Sequence, residues 1–353
     1  MTRVTIVYPN PRAALIAEAR AGRAPDTTLL GLNQLPRHGV DVRVRDSFFD
    51  TRAEFVPKRL RWHLRELTLP WEAGNTEVVF TPLANVIPFA ARARRLPVVV
   101  YNFGLNTILR RANTARRRAL AAALRQATAV VSLGTSQRDE LIELAGIDAS
   151  RAHVVLHGVD HGFFTPDEEA PRERLVLAVG RDLARDYPTF LAAVADIDAR
   201  VVVLAVRSRN FADLALPPNV EIREAVPWDE LRSLYSHAGC AVIPLRPTGY
   251  PFGSEASGIT ALLEAEAMAT PIVATDRPVL REYLTHGESA LLVAEQDPIA
   301  LRTSIESLLD DHELARALGG AGRRRVAAHH TMEDMAARLA PVLEAAAAIR
   351  RAR

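Results

Sequence analysis

Short apolar runs alternate along the chain with longer segments in which apolar residues recur at helical spacing. The runs predict buried strands, and the segments between them predict helices. In the first half, strands are predicted at 4–8, 40–44, 77–80, 97–101, 127–133 and 153–156. In the second half, they are predicted at 175–179, 201–206, 220–222, 240–243, 271–274 and 290–293. This alternation predicts the α/β class, with a doubly wound, Rossmann-like parallel sheet in each half.

The alternation is interrupted between Gly158 and Arg172, where aromatic residues and prolines occur among acidic residues. We therefore predict an N-terminal domain over 1–160, a linker over 161–172 and a second domain over 173–330. A final Ala-rich helix over 331–353 is predicted to pack back on the first domain. Open α/β sheets bind ligands beyond the carboxyl ends of their strands, so the site is expected in a cleft between two facing domains.

One stretch, PFGSEASGITALLEAEAMATPIVATD over 251–276, reads as a loop, a helix over 259–269 and a strand. Ser257 is the predicted N-cap, and Gly258 lets a ligand approach the first helical turn, a place that suits a phosphate. Glu264 lies about 7 to 8 Å further along the axis, where its carboxylate can accept hydrogen bonds from ribose hydroxyls. Taken alone, the stretch is equally compatible with an ordinary glycine-led helix.

Two arginines follow the first predicted strand of the second half. Arg181 and Arg185 come after Gly180, just past the carboxyl end of that strand. Guanidinium groups grip phosphate oxygens bidentately, so the pair is placed to neutralise a diphosphate. Solvated surface arginines are the alternative, and the helix start at Gly258 favours the phosphate interpretation.

The composition, 48% hydrophobic and 24% charged, is that of a globular protein. The first apolar run is too short for a signal peptide and no run reaches the roughly 18 residues of a membrane span, which predicts a cytoplasmic location. Cys240, the single cysteine, lies in an apolar run and excludes a disulfide framework. No compact Asp/His cluster has ligand spacing, so no metal is predicted.

Charge is divided unevenly along the chain. Residues 1–165 hold 23 Lys and Arg against 14 Asp and Glu, a net charge of +9, whereas 166–353 hold 21 against 28, a net charge of −7. The first half is therefore expected to meet an anionic partner, such as a phosphorylated acceptor or the inner face of a membrane. Basic clusters occur at 58–65, 92–95 and 110–118, and the first has the apolar interleaving of an interfacial helix. Solvated arginines are the alternative, and nucleic-acid binding is not predicted, since most clusters lack stacking aromatics.

Taken together, these residues resemble the retaining glycosyltransferases of the GT-B fold, family GT4. The resemblance covers nearly all of residues 127–340 and thins out before residue 127. It rests on GR at 180–181 followed by RDYPT at 185–189, LEA at 263–265 followed by TPIVAT at 270–275, HGVD at 157–160, and Glu282 with Gly287 and LLV at 291–293.

The resemblance implies transfer of a hexosyl group from a nucleotide diphosphate sugar, a UDP- or GDP-sugar, to an acceptor hydroxyl. The anomeric configuration would be retained, without a metal or other cofactor. Arg181 and Arg185 would hold the donor diphosphate, Gly258 and Ile259 would offer it backbone amides, and Glu264 would bind the ribose.

Other positions follow from the same resemblance. Gly180 belongs to the donor site, and the base would lie near residues 225–228, which end in Trp228 and follow the third strand of the second half. Asn102 and His157 are the candidate residues on the acceptor side. The acceptor class stays open among glycolipids, glycans and small molecules.

The sequence departs from the family pattern at three places. The family has two glutamates separated by seven residues, but counting back from Glu264 reaches Ala256, with Glu255 one place off. Either the loop absorbs one residue, so that Glu255 is the first glutamate, or sugar recognition has changed. The glycine-rich turn after the first strand is replaced by PNP at 9–11, and a histidine after the fourth strand by YNFG at 101–104.

Four other functions share features with this sequence. A sugar-nucleotide epimerase of the same fold would use the same nucleotide contacts, and product analysis without acceptor separates it from a transferase. A two-lobed sugar- or solute-binding protein would also show paired α/β domains, but the paired arginines disfavour it. A phosphorylase is disfavoured because no lysine marks a pyridoxal site, since the only lysine, Lys58, lies in the first half. A Rossmann dehydrogenase is disfavoured because no G-x-G-x-x-G follows an early strand.

Overall fold

The computed structural model describes residues 1–45, 58–82, 87–167 and 169–352 of the 353-residue chain. Within the helix over Lys58–Glu72 it describes the backbone, but not the side chains of residues 58–63 and 65. Most of the basic cluster predicted at 58–65 therefore lies outside the described side chains. The chain forms two compact units, Met1–Leu156 with Met332–Arg353, and His157–Thr331.

The described part of unit 1 contains a parallel sheet of six strands in the order β2-β1-β3-β4-β5-β6. Its strands are β1 Thr2–Ile6, β2 Val40–Val44, β3 Val78–Thr81, β4 Val98–Tyr101, β5 Ala129–Ser132 and β6 Ala152–Val154. The α-helices that precede β6 in the chain are α1 Ala13–Arg20, α2 Lys58–Glu72, α3 Ile87–Ala93, α4 Leu105–Arg111, α5 Thr114–Gln126 and α6 Thr135–Ala145. Strands β3, β4 and β5 are buried along their whole length, because helices cover a parallel sheet on both faces.

The described part of unit 2 contains a second parallel sheet, in the order β12-β11-β10-β7-β8-β9. Its strands are β7 Glu173–Val179, β8 Arg200–Leu204, β9 Val220–Arg223, β10 Ala238–Ile243, β11 Ile272–Thr275 and β12 Leu291–Val293. Its helices are α7 Tyr187–Val194, α8 Arg207–Asn210, α9 Trp228–His237, α10 Ile259–Ala267, α11 Pro298–Asp310 and α12 His312–His329. Cys240 is fully buried in β10, as predicted.

The last helix, α13 over Met332–Arg351, belongs to unit 1. Its buried stripe includes Met335, Leu339 and Leu343 and packs against β1 and β3. At its end, Arg351 Nε binds Glu77 Oε1 at 2.7 Å. The predicted return of the C-terminal helix to the first domain is confirmed.

The two strands β7 and β10 are neighbours at the centre of the second sheet, and the chain leaves them toward opposite edges. Such a switch point leaves a crevice beyond the carboxyl ends of the two strands, where α/β sheets bind ligands. The loops that follow β7 and β10 contain Gly180 to Asp186 and Pro244 to Gly258. The residues singled out in the sequence are therefore brought to one edge of unit 2.

Candidate functional site

A half-buried carboxylate joins the loop after β7 to the loop after β10. Asp182 Oδ1 accepts hydrogen bonds from the backbone N–H of Ala184 at 2.7 Å and of Ser254 at 3.1 Å. Gly253 allows this contact, because a Cβ at its position would lie 2.1 Å from Asp182 Oδ1, and its φ of +80° favours glycine. The two loops are thus held in contact without a ligand.

Arg185 lies where these loops meet and is 5% exposed. Its Nη2 donates to the carbonyl of Val179 at 2.5 Å, whereas its Nε and Nη1 have no hydrogen-bond partner among the described residues. Gly180 makes room for the guanidinium, since a Cβ there would lie 2.1 Å from Arg185 Nε. A buried cation with unused donors is costly, and an anion placed beside it would supply the missing partners.

The residues after Arg185 support its position. Asp186 caps α7 by accepting from the backbone N–H of Thr189 at 3.5 Å. It also accepts from the Thr189 hydroxyl at 2.7 Å and pairs with Arg246 at 3.2 Å. The hydroxyl of Tyr187 donates to the carbonyl of Gly180 at 2.5 Å. In the RDYPT motif, Arg185 is therefore the candidate site residue, and the residues after it make the contacts that hold its loop in place.

Helix α10 begins beside the Arg185 guanidinium. A Cβ added to Gly258 would lie 3.4 Å from Arg185 Nη1 and only 2.6 Å from Ile243 Cγ2. Gly258 has a φ of +95° and is itself the N-cap, without a side-chain capping bond. The first N–H groups of α10, starting at Ile259, lack intrahelical acceptors, and the helix dipole makes this end positive.

The predicted N-cap was wrong by one residue, because the left-handed glycine takes the cap position instead of Ser257. Ser257 is 6% exposed, and its Oγ has no hydrogen-bond partner within the described chain. A second unused polar group therefore adjoins the helix start. The helix also ends at Ala267, two residues before the predicted limit, and Ala269 then takes a left-handed φ of 51°.

Glu264 lies further along α10 and is 7% exposed. Its Oε2 accepts a hydrogen bond from the hydroxyl of Tyr235 on α9 at 3.1 Å. Burial raises the pKa of Glu264 to about 7, and the hydrogen bond from Tyr235 and the charge of Arg185 both act to lower it. The carboxyl group consequently changes its charge near neutral pH.

Arg181 does not join Arg185. Its side chain is exposed, and its Nη2 donates to the carbonyl of Glu224, which follows β9. Glu255 is 7% exposed in the turn before α10, and the neighbouring Ala256 is 8% exposed. The structure therefore brings Gly180, Arg185 and Gly258 together, whereas Arg181 points to the β9 side of the same edge.

Trp228 is the first residue of α9 and is 37% exposed. Its ring meets that of Phe163 edge to face, with centroids 6.2 Å apart, and the guanidinium of Arg232 lies 4.9 Å above the Phe163 ring. This places a partly exposed aromatic surface just after β9, in the region predicted for the base.

The two acceptor-side candidates are buried. Asn102 is 0% exposed; its Nδ2 donates to Asn106 Oδ1 at 2.9 Å and its Oδ1 accepts from Leu105 N at 2.9 Å. His157 is the first residue of unit 2, and its backbone N–H donates to the hydroxyl of Tyr283 at 2.8 Å. Burial lowers the pKa of His157 to about 4, so its ring is neutral at pH 7. The side chain of Asn102 fixes the turn after β4.

Tyr235 and Asp182 were missed in the sequence. Tyr235 lies on the apolar face of a helix, and Asp182 is one of many acidic residues in its half of the chain. The helical spacing of Tyr235 with Leu231 and Leu234 indicates that its side chain is buried. No sequence pattern indicates its contact with Glu264. Among the described residues, no group of three or more His, Cys, Asp or Glu side chains is arranged to hold a metal ion.

Two family models match the chain. Residues 168–325 match the glycosyl transferases group 1 model, and residues 3–163 match that of glycosyltransferase family 4. The chain belongs to the group 1, family 4 glycosyltransferases. The family resemblance noted after residue 127 therefore extends to the first unit, where the sequence motifs are weak.

Curated relatives give the same result. The chain is 27% identical over 237 residues to alpha-maltose-1-phosphate synthase of Mycolicibacterium smegmatis, covering 58% of this chain and 59% of that one. It is 30% identical over 243 residues to D-inositol 3-phosphate glycosyltransferase of Thermobispora bispora, covering 60% and 55%. The matched part thus spans little more than half the length of these relatives. A GDP-mannose-dependent alpha-(1-6)-phosphatidylinositol monomannoside mannosyltransferase of M. smegmatis is 29% identical over 287 residues, 74% of each chain.

Solved structures resemble the whole chain. Anabaena HepE in complex with UDP and glucose superposes with a TM-score of 0.68 at 14% identity, over 98% of this chain and 99% of that one. Sucrose-phosphate synthase of Thermosynechococcus elongatus gives 0.68 at 18% identity, over 98% and 99%. The predicted fold, two Rossmann-like units of the GT-B type, is confirmed. Within the described ranges, no helix is both long and apolar enough to cross a bilayer.

Proposed function

We propose that this protein transfers a hexosyl group from a nucleotide diphosphate sugar to an acceptor hydroxyl, with retention of configuration and without a metal. The observation that carries the proposal is Arg185, a buried guanidinium with two unused donors beside the glycine start of α10. A diphosphate at this place receives hydrogen bonds from Arg185 and from the first N–H groups of α10. The Oγ of Ser257 is a further donor at the same place.

The site favours departure of the diphosphate. The bond between the anomeric carbon and the phosphate oxygen breaks, and its electron pair stays on the leaving diphosphate. The acceptor oxygen bonds to the anomeric carbon, and its proton passes to the leaving phosphate oxygen. Arg185 and the positive end of α10 stabilise the negative charge that develops, an effect that is often the largest single contribution to catalysis. Arg181, on the β9 side, is the second cation assigned to the diphosphate.

The nucleoside is assigned to the side of the site next to α9. Glu264 accepts hydrogen bonds from the ribose hydroxyls in its ionised form, and Trp228 borders the base. Because the pKa of Glu264 is raised to about 7, nucleotide affinity should fall as the pH drops below neutral. The donor is a UDP- or GDP-sugar: one relative is named GDP-mannose-dependent, and the similar HepE structure contains UDP.

The sugar end is assigned to Glu255, which stands one place from the family's first glutamate. Glu255 lies in the turn that leads to the left-handed Gly258, the N-cap of α10. Glu255→Gln should therefore reduce turnover more than it reduces affinity for the nucleoside diphosphate itself.

The test is a transfer assay with UDP- and GDP-hexoses, with sugar phosphates, inositol phosphates and glycolipids as acceptors, and with NMR of the product to read the anomeric configuration. Arg185→Ala and Glu264→Ala should each lower turnover or donor affinity at least tenfold, about 1.4 kcal/mol. Arg174→Ala, which removes an exposed arginine paired with Asp310 away from the site, is the matched control. Normal transfer by both site variants would remove the assignment, and conversion of the donor sugar without acceptor would favour an epimerase.

A second proposal concerns the outer face of unit 1. Leu67 and Trp71 on α2 and Phe89 on α3 are 46%, 52% and 44% exposed, and α2 packs against α3. Arg92 and the other arginines of the 92–95 cluster lie at the end of the same helix pair. Exposed apolar side chains beside cations suit the surface of an anionic bilayer, which is where a glycolipid acceptor would be found.

Sedimentation with vesicles tests this contact. The protein should bind vesicles that contain anionic lipid at low salt, and Trp71→Ser should weaken that binding. An absence of binding at low salt would exclude membrane contact and leave the transfer reaction unaffected.

A further inference from the structure

Glu264 is held by a tyrosine that no sequence motif singles out. The hydroxyl of Tyr235, on α9, lies 3.1 Å from Glu264 Oε2 and donates to it. Tyr235 is 1% exposed, so water does not compete for this hydrogen bond. The other carboxylate oxygen, Oε1, makes no hydrogen bond within the described part of the chain. The two oxygens of Glu264 therefore differ: one is occupied by the protein and the other is available.

The tyrosine is itself fixed from several sides. Its backbone carbonyl accepts from Arg172 Nη1 at 2.6 Å and from the hydroxyl of Thr270 at 2.8 Å. Its ring meets that of Phe164 edge to face, with centroids 6.4 Å apart. A side chain packed in this way cannot follow Glu264 if the carboxylate turns, so the hydrogen bond selects one orientation of Glu264.

The Tyr235 hydroxyl stays protonated, and so remains a hydrogen-bond donor, while Glu264 titrates. The ionisable groups that act on Glu264 are Tyr235 on α9 and Arg185 in the loop after β7. Burial and the nearby carboxylate raise the pKa of Tyr235 well above its ordinary value, so the hydroxyl keeps its proton throughout the range in which Glu264 titrates. Removing the hydroxyl takes one stabilising contact from the ionised carboxylate and leaves only the charge of Arg185.

We propose that Tyr235 is a positioning residue of the nucleotide site: its hydroxyl fixes one carboxylate oxygen of Glu264, so that the other is presented to the ribose hydroxyls. This inference rests on the proposed function. It assigns Tyr235 no contact with the substrate, and its effect passes entirely through Glu264.

The test is calorimetric titration of UDP, GDP and their 2′-deoxy counterparts between pH 5.5 and 9. The wild type, Tyr235→Phe and Glu264→Gln are compared, with Tyr283→Phe as the control that removes another buried hydroxyl from unit 2. In Tyr235→Phe the midpoint of the affinity profile should move about one pH unit upward, as expected for loss of roughly 1.4 kcal/mol from the ionised form. The shift alone should weaken affinity about fivefold at pH 7 and hardly at pH 9, and any loss that remains at pH 9 should fall on the ribonucleotides and not on their 2′-deoxy counterparts. Tyr283→Phe should leave the midpoint unchanged.

Different failures give different results. If the wild type binds nucleoside diphosphates and Glu264→Gln removes the preference for ribose over 2′-deoxyribose, but Tyr235→Phe behaves as the wild type, the positioning role is wrong and the proposed function stands. An equal loss of affinity for UDP, GDP and their 2′-deoxy counterparts, with an unmoved midpoint, would also overturn the role, because it would indicate a structural defect alone. If the wild type binds neither UDP nor GDP at any pH, both proposals fail. If Tyr235→Phe does not fold, 3-fluorotyrosine at position 235, a more acidic donor, should move the midpoint downward, and an unmoved midpoint overturns the role.

Discussion

Gly180→Ala should disable the site through one added methyl group. The φ of Gly180 lies outside the left-handed region, so alanine meets no backbone strain there. The new Cβ would instead lie 2.1 Å from Nε, 2.6 Å from Cζ and 2.7 Å from Nη2 of Arg185. The guanidinium must leave its place and lose its bond to Val179 O. Because hydrogen bonds to charged groups contribute about 1.5 to 3 kcal/mol, affinity for a nucleoside diphosphate should fall roughly 10- to 150-fold.

The assay is calorimetric titration with UDP and GDP, together with thermal unfolding. Gly162→Ala is the control, since its nearest atom would be 3.7 Å away and its φ is also ordinary. The double variant Gly180→Ala with Arg185→Ala should bind no more weakly than Arg185→Ala alone, because both changes remove the same contact. Additive losses, or wild-type affinity in Gly180→Ala, would refute the assignment of Arg185 as the buried diphosphate ligand.

Three further changes test neighbouring features. Gly258→Ala should destabilise the protein by about 2 to 4 kcal/mol in urea unfolding, since φ is +95° and the Cβ would lie 2.6 Å from Ile243 Cγ2. Gly249→Ala is the control, because φ is +84° there and no atom lies within 4 Å of the added Cβ. A loss of stability in Gly258→Ala no larger than that in Gly249→Ala would contradict the role of packing against Ile243. Glu266→Gln should raise the free energy of unfolding by about 1 kcal/mol or more at pH 8 and little at pH 5. Burial raises the pKa of Glu266 well above its ordinary value, so above the ordinary pKa of glutamate the native state holds a proton that the unfolded state has lost. The wild type therefore loses stability as the pH rises, and the glutamine variant does not. A variant less stable than the wild type at pH 8 would contradict this sign. Arg172→Ala should lower the free energy of unfolding by about 3 kcal/mol or more, because four backbone carbonyls, including Met268 O and Ala269 O, each lose a hydrogen bond from a charged donor. A free energy of unfolding within 1 kcal/mol of the wild type in urea would contradict this.

The fold could be predicted because parallel strands are covered on both faces. Several interior strands then contain an unbroken apolar run, as at 78–80 and at Val98–Tyr101. The limits of α10 were less predictable, since a left-handed glycine rather than Ser257 begins the helix. The capping rule favours serine, but close packing of Ile243 against the helix start leaves room only for glycine.

The site could be predicted in part. Arg185 was predicted because it follows a strand end, where a guanidinium can bind phosphate. Glu264 was predicted because its distance from a helix start suits a ribose next to a diphosphate. Contacts between distant parts of the chain could not be read in the same way. Asp182 reaches Ser254 and Tyr235 reaches Glu264 only after the sheet is assembled, and no local pattern encodes either pair. The orientation of Arg181 toward Glu224 likewise depends on where β9 ends.

Arg185 and the start of α10 are proposed to bind the diphosphate of the donor nucleotide. The most direct measurement compares the affinities of the wild type and Arg185→Ala for a nucleoside diphosphate and for its monophosphate. The wild type should prefer the diphosphate at least tenfold, about 1.4 kcal/mol, and the preference of Arg185→Ala should be clearly smaller, because only Arg181, Ser257 and the start of α10 then remain to bind the diphosphate. An undiminished preference in Arg185→Ala would contradict the account.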